Sequence, residues 1–383
     1  PPQRRGVQQP GAIAREIGAQ MAVLLKNDNA ILPISKDAGR IVIIGQSKYA
    51  EFACQGGGGS SRVDPLYTVD PLPGFRAVLA ELGGTATVDA VIVASDLSNI
   101  DEAIAAAKDA DVVVIMAGLV ATEGADLPDL HLPNDQDRLI AEIAPVNPNT
   151  ALVLKNSSPV LMPWAEAVPA ILEVWNQGTE DGHVVPDLLL GAVNPSGKVP
   201  TTYPRTAEDT LVAGRPDRYP GTDEGAGYPV IRYSEGLRMG YRWHQAEGIA
   251  PQWAFGFGLS YTTFEITEAT VDPGATPGGS PVTVQATVAN TGVRPGAEVV
   301  QVYLGFPQHT GQPPKRLVGF AKVTVEPGAT QQVTIVIDPE ATHHPLSVWS
   351  YGERGWTVPH GEFTVFVGTS SENTPIVERF TVG

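Results

Sequence analysis

The chain has one cysteine, Cys54, in 383 residues. That excludes an internal disulfide and any cysteine-based zinc site. It is also short of bases, with 25 Lys and Arg against 42 Asp and Glu and a formal net charge of −17. Nucleic-acid affinity comes mainly from bases neutralising phosphates, so this balance argues against nucleic acid, and against an anionic membrane surface as well. No apolar run reaches the roughly 18 residues that a membrane span needs. The opening "PPQRRGVQQP" carries basic residues with no apolar stretch behind it, so it does not read as a secretory leader. Nucleotide fingerprints are missing too. No GxGxxG follows the "RIVIIGQ" run, and "CQGGGGSSR" lacks the Lys-Ser/Thr pair that opens a phosphate-binding helix. There is no GxSxG nucleophile elbow. The histidines are scattered, and His343 and His344 are adjacent rather than at ligand spacing. No cofactor and no metal are expected.

What is present is glycine and proline, 41 and 34 residues, which suits a chain with many strand ends and turns. The length is comfortable for two domains. In "PGAIAREIGAQMAVLLKND" the spacing of Ile13, Ile17, Met21, Leu24 and Leu25 predicts a helix. Short apolar runs at "RIVIIGQ", "DAVIVAS", "DVVVIMAGL", "TALVLKNSSP" and "VPAILEVWNQG" then alternate with helical segments ending at "HVVPDLLLG". Alternating strands and helices with apolar strands predict a mostly parallel sheet sandwiched by helices, over residues 1–205. From 206 to 260 the periodicity dissolves into Pro, Gly, Asp and Tyr, an ordered connector. From 261 to 383 the period becomes two, in "VTVQATVANTG", "AEVVQVYLGF" and "GEFTVFVGTS", which predicts a β-sandwich. The fold class is α/β followed by all-β.

Candidate chemistry sits at strand ends, because ligands of open α/β sheets bind outside the carboxyl ends of the strands. Glu123 follows the "DVVVIMAGL" strand and precedes a glycine; Trp175 ends another strand. A lone loop glutamate is ordinarily solvated and idle, and most tryptophans are core residues. The four glycines of "CQGGGGSSR" are either a flexible surface loop or a loop whose backbone must approach a partner closely. The "NPSGKVP" turn with Lys198 reads as structural.

Taken together, "AREIGAQMAVLLKNDNAILPI", "VIIGQSKYAEFACQGGGGSSRVDP", "GLVATEGADLPDLHLPNDQDRLI", "VWNQGTEDGHVVPDLLLGAVNPSGKVPTTYP" and "YSEGLRMGYRW…AFGFGLSYTTFE" resemble glycoside hydrolase family 3, the β-glucosidase type, over nearly the whole chain. The resemblance implies an α/β sandwich domain and a fibronectin type III-like domain, without the N-terminal barrel that carries the family's nucleophilic Asp. It makes Glu123 the catalytic acid/base, and Gly57, Gly58, Ser60, Ser61 and Trp175 substrate-binding or barrel-facing residues. The implied substrate is a β-glucoside or a related oligosaccharide, and the implied partner is a barrel on a separate chain or a missing part. "ASDLSNID" at Asp96 lacks the Trp of the family's nucleophile motif and is not accepted as a substitute. Ala125 and Leu127 depart from the family's pattern around the retained Asp126. The chain alone is expected to be inactive; homo-oligomerisation is left open, and the resemblance leans towards an extracytoplasmic location. The alternative is a non-catalytic carbohydrate-binding or scaffolding protein built from the same modules.

Overall fold

The computed structural model describes residues 10–56, 58–225 and 227–383. The chain divides into two compact units. One holds the chain up to Lys198 together with Gly258–Tyr261, and the other holds Val199–Phe257 and Thr262–Gly383.

The first unit is built on six strands: β1 (Val23–Asn27), β2 (Arg40–Gln46), β3 (Thr87–Val93), β4 (Val112–Leu119), β5 (Thr150–Asn156) and β6 (Ala170–Glu173). They lie in the order β1-β6-β5-β4-β2-β3, all parallel except β1, which runs antiparallel to β6. The helices are α1 (Pro10–Met21), α2 (Ser47–Ala50), α3 (Pro71–Glu81), α4 (Ile100–Asp109), α5 (Gln136–Ile143) and α6 (Asp181–Leu189). Ile41, Ile43, Val114, Met116, Ala151 and Val153 pack with Phe75, Val78, Val184 and Leu188 of α3 and α6. The alternate residues Val42, Ile44, Val113 and Ile115 are equally buried, and α4 and α5 bury Ala103, Leu139 and Ile143. A sheet covered on both faces has no water-facing side, which is why its central strands read as continuous hydrocarbon. Each such buried aliphatic side chain contributes about 1.5–3 kcal/mol. The mostly parallel α/β sandwich expected from the sequence is the observed one.

One element differs. The helical spacing carries the first helix through Leu24 and Leu25, but α1 ends at Met21 and both leucines lie in β1, fully buried. Ile13 and Ile17, on the supposed apolar face, are 40% and 59% exposed. "VLLKN" pairs with β6 from Val23↔Glu173 to Asn27↔Ala170, and that distant edge outcompetes local helical spacing. The "NPSGKVP" turn closes the unit: Lys198 Nζ donates to the Gly258 carbonyl at 2.8 Å. A Cβ on Gly197 would lie 2.4 Å from the Met21 carbonyl oxygen, so only glycine allows this approach.

The second unit starts with a two-strand hairpin, β7 (Thr222–Asp223) and β8 (Pro229–Val230), and helix α7 (Tyr241–Glu247). Seven strands then form two antiparallel sheets: β9 (Phe264–Asp272), β10 (Val282–Asn290), β11 (Gly296–Gly305), β12 (Arg316–Val325), β13 (Thr330–Ile337), β16 (Gly361–Gly368) and β17 (Ile376–Val382). Their orders are β13-β10-β9 and β12-β11-β16-β17. A separate hairpin, β14 (Val348–Ser350) with β15 (Gly355–Thr357), sits between β13 and β16 in the chain. In β10 the residues Val282, Val284, Ala286 and Val288 point into the core at the period of two that the sequence displays. The Phe363 and Phe380 rings stack at 5.1 Å in that core. Among the described residues no α-helix follows residue 270.

Candidate active site

The strand order positions the site. From β2 the chain goes to β3 on one side and then to β4 on the other, so the sheet reverses direction between β2 and β4. Loops leaving the carboxyl ends of strands at such a switch point diverge and open a crevice. The loop after β4 carries Glu123, and the loop after β2 carries the glycines.

The acid loop is held at its base. Gln136, fully buried, accepts from the Gly118 N–H and donates to the Gly118 and Pro133 carbonyls at 2.9 and 2.8 Å. Gln46, at the end of β2, donates to the Asn134 carbonyl. One amide therefore closes both ends of the loop, and the "LPNDQ" segment after Glu123 is ordered for that reason. At the tip, Thr122 and Ala125 bridge across a tight turn. Gly124 has φ +78°, the positive dihedral that a type II turn places at its third residue. Glu123 therefore sits at the exposed outer corner.

The glycine loop meets that corner. The Ser60 N–H, in the 3-10 turn Gly59–Ser61, donates to Glu123 Oε2 at 2.6 Å. Gly59 has φ +73°, and a Cβ there would fall 2.5 Å from Glu123 Cβ; one on Gly58 would fall 2.7 Å from Thr122 Oγ1. Of the two readings of "GGGG", close backbone approach is the observed one at these positions. Gly57 lies outside the described residues, and Ser61 follows Ser60 in the same turn. Trp175 is elsewhere. It lies two residues beyond β6 with φ +60°, and its indole N–H donates to the Met21 carbonyl. Asp96 is exposed in the loop after β3 and accepts the Ser98 N–H at 3.0 Å.

The Ser60 backbone N–H, with the Ser60 hydroxyl second, holds the Glu123 carboxyl below the usual glutamate range. Such a group is ionised at neutral pH. In a carboxyl-carbon NMR titration of this chain, Glu123 should titrate below an ordinary glutamate. It should move up in Ser60→Pro, which removes the N–H; an unchanged Ser60→Pro titration would deny that the amide sets the shift.

Next to the pair is a cavity of about 940 Å³, lined among others by Lys48, Gly58, Arg62, Tyr67, Thr122 and Thr179. Trp175 does not line it. A buried ion pair that braces the segment leading to the glycine loop is one that sequence reasoning missed. Lys155 and Asp181, both fully buried, pair at 2.5 Å, and Lys155 Nζ also donates to the Tyr49 carbonyl at 2.8 Å. Asp181 Oδ2 accepts the Cys54 N–H at 3.4 Å, and the Cys54 carbonyl accepts the Gly178 N–H. Burial raises the Asp181 carboxyl while Lys155 lowers it, and burial pushes the Cys54 thiol up to about 11. A lysine inside the apolar "TALVLKN" run was the available signal.

The model of the glycosyl hydrolase family 3 C-terminal domain matches residues 22–261, and that of the fibronectin type III-like domain matches residues 298–371. The chain belongs to glycosyl hydrolase family 3. It is 34% identical over 385 residues to thermostable beta-glucosidase B of Acetivibrio thermocellus, covering 97% of this chain and 48% of that protein. It is 35% identical, with the same coverage, to an exo-alpha-(1->6)-L-arabinopyranosidase of Bifidobacterium breve. Among solved structures, DesR, a beta-glucosidase from Streptomyces venezuelae in complex with D-glucose, superposes with a TM-score of 0.86 at 28% identity, covering all of this chain and 62% of that one. The chain spans about half the length of the curated family 3 relatives it matches. The resemblance drawn from the motifs and the family 3 domain pair are the same assignment.

Proposed function

We propose that this chain is the C-terminal part of a retaining β-glucosidase-type glycoside hydrolase, and that Glu123 is its general acid/base. The nucleophilic carboxylate comes from a barrel domain outside these residues. The observation that carries the reading is the place of Glu123: the outer corner of the loop after β4, at the sheet's switch point, beside the cavity and held by Ser60. Retaining glycosidases need two carboxyl groups about 5–5.5 Å apart, one attacking the anomeric carbon and one protonating the leaving oxygen. The pair can come from two domains.

A general acid must hold its proton near neutral pH, whereas the exposed Glu123 is shifted the opposite way. Covering the loop with a barrel mouth removes water from the carboxylate, and burial raises a carboxyl by up to about 3–5 units. That exceeds the pull of one amide. Gly58, Ser60 and Ser61 contact the substrate or the barrel in this reading; the Trp175 indole is engaged instead with the Met21 carbonyl at the end of α1.

The test is a mechanism-based label. A 2-deoxy-2-fluoro-β-glucoside should inactivate the parent enzyme by esterifying a carboxylate whose peptide lies outside these 383 residues. The chain by itself should neither take the label nor hydrolyse a nitrophenyl β-glucoside. Labelling of a residue within this chain, or turnover by it alone, overturns the proposal.

A further inference from the structure

Two of the six tryptophans share a hairpin of the second unit and do not line the cavity beside Glu123. Trp349 and Trp356 are directly opposed partners of the β14–β15 hairpin and are 46% and 47% exposed. Their rings meet edge to face at 5.7 Å. His344 stacks on Trp356 at 4.6 Å, and Tyr351, in the turn between the strands, is 90% exposed. Neither indole N–H has a protein partner among the described residues.

The base of this hairpin is fixed. Arg316 Nη2 donates to the carbonyls of His344, Pro345 and Ser347 at 3.2, 2.7 and 3.1 Å, with its guanidinium 4.3 Å from the Phe306 ring. Leu346 beneath is fully buried. A cross-strand aromatic pair alone stabilises a hairpin by roughly 0.2–1 kcal/mol. That accounts for the pairing. It does not account for leaving half of two indoles and nearly all of a tyrosine in water, since contiguous exposed apolar surface ordinarily marks a binding site.

We propose that the β14–β15 hairpin is a binding platform for a neutral oligosaccharide chain. Pyranose rings present flat C–H faces that pack on aromatic faces, and their hydroxyls accept hydrogen bonds from indole N–H groups. Trp and Tyr supply that amphipathic contact at low entropic cost, because each has only two side-chain torsions to fix. Charge selects the occupant. A second copy of the chain would bring −17 against −17, whereas a neutral saccharide meets no such repulsion. The choice of a saccharide, rather than another neutral partner, rests on the glycosidase reading above.

The experiment titrates the chain with cellohexaose, and separately with laminarihexaose, following indole N–H signals by NMR. Saturable shifts of the Trp349 and Trp356 signals, assigned with Trp349→Phe and Trp356→Phe, are expected with at least one of them. Trp356→Ala should weaken binding at least about tenfold, the loss of an aromatic anchor. Tyr351→Ala, at a position with no buried contact to lose, should weaken it severalfold with the fold intact. No saturable shift with either sugar, or binding untouched by these substitutions, overturns the proposal. Self-association abolished by the same substitutions also overturns it, in favour of a second copy on the platform. Binding is read without turnover, so failure here leaves Glu123 unaffected, and an idle Glu123 leaves this surface unaffected.

Discussion

In an enzyme that unites this chain with its barrel, Glu123→Ala should lower kcat/KM for an alkyl β-glucoside by about 10²–10⁴-fold, the usual worth of general acid assistance. A nitrophenyl β-glucoside, whose leaving group departs as a stable anion, should keep most of its glycosylation rate. Its slow step becomes deglycosylation, because water has lost its general base. Added azide should restore that step and yield a glycosyl azide, since a small anion fits the space the carboxylate vacates and needs no base. The pH profile supplies an independent check. Assistance is lost as pH rises through the pKa of Glu123 in the assembled enzyme, so the basic limb of the alkyl profile should disappear in Glu123→Gln. If alkyl and nitrophenyl substrates fall by one factor and azide does nothing, Glu123 is a bystander.

Lys155→Met should lower the stability of the first unit by about 3–5 kcal/mol, because it leaves the Asp181 carboxylate buried without its partner. At about 2–4 °C per kcal/mol for a unit of this size, the melting temperature falls by on the order of 10 °C. Replacing both members, Lys155→Met with Asp181→Leu, removes the stranded charge and should recover most of the loss. The sign with pH follows from burial, which raises Asp181 in the fold. The cost of the stranded carboxylate is full above its raised folded pKa and fades as pH falls towards the unfolded value, so the deficit of the single variant should shrink in acid. Melts followed by circular dichroism decide the matter. A single variant as stable as the parent, or a double variant no better than the single, would make the pair incidental. The consequence reaches the site, because the same lysine holds the Tyr49 carbonyl and the same aspartate accepts the Cys54 N–H in the segment leading to the glycine loop.

Local pattern by itself determined the fold class. The short apolar run in "RIVIIGQ" is too brief for a helix and points to a strand buried on both faces, and a period of two after residue 261 points to strands with one wet face. The same pattern determined that Glu123 follows a strand end, whereas the glycine run stayed open between a flexible loop and a close approach until the contacts of Gly58 and Gly59 with Thr122 and Glu123 decided it. Everything that depended on which strand lies beside which was left to the tertiary structure. Leu24 and Leu25 fit a helix locally and are claimed by β6, in whose ladder Leu24 pairs with Leu172, 148 residues away. Ser60 and Glu123 meet because β2 and β4 are neighbours while β3 lies outside them. Trp175, at another strand end, turns to the Met21 carbonyl instead of the cavity. Trp164 is buried as tryptophans usually are, yet Trp349 and Trp356 stand half in water on a hairpin. Strand order and exposure come from the closure of distant chain segments on one core, a global packing outcome that no window of local spacing encodes.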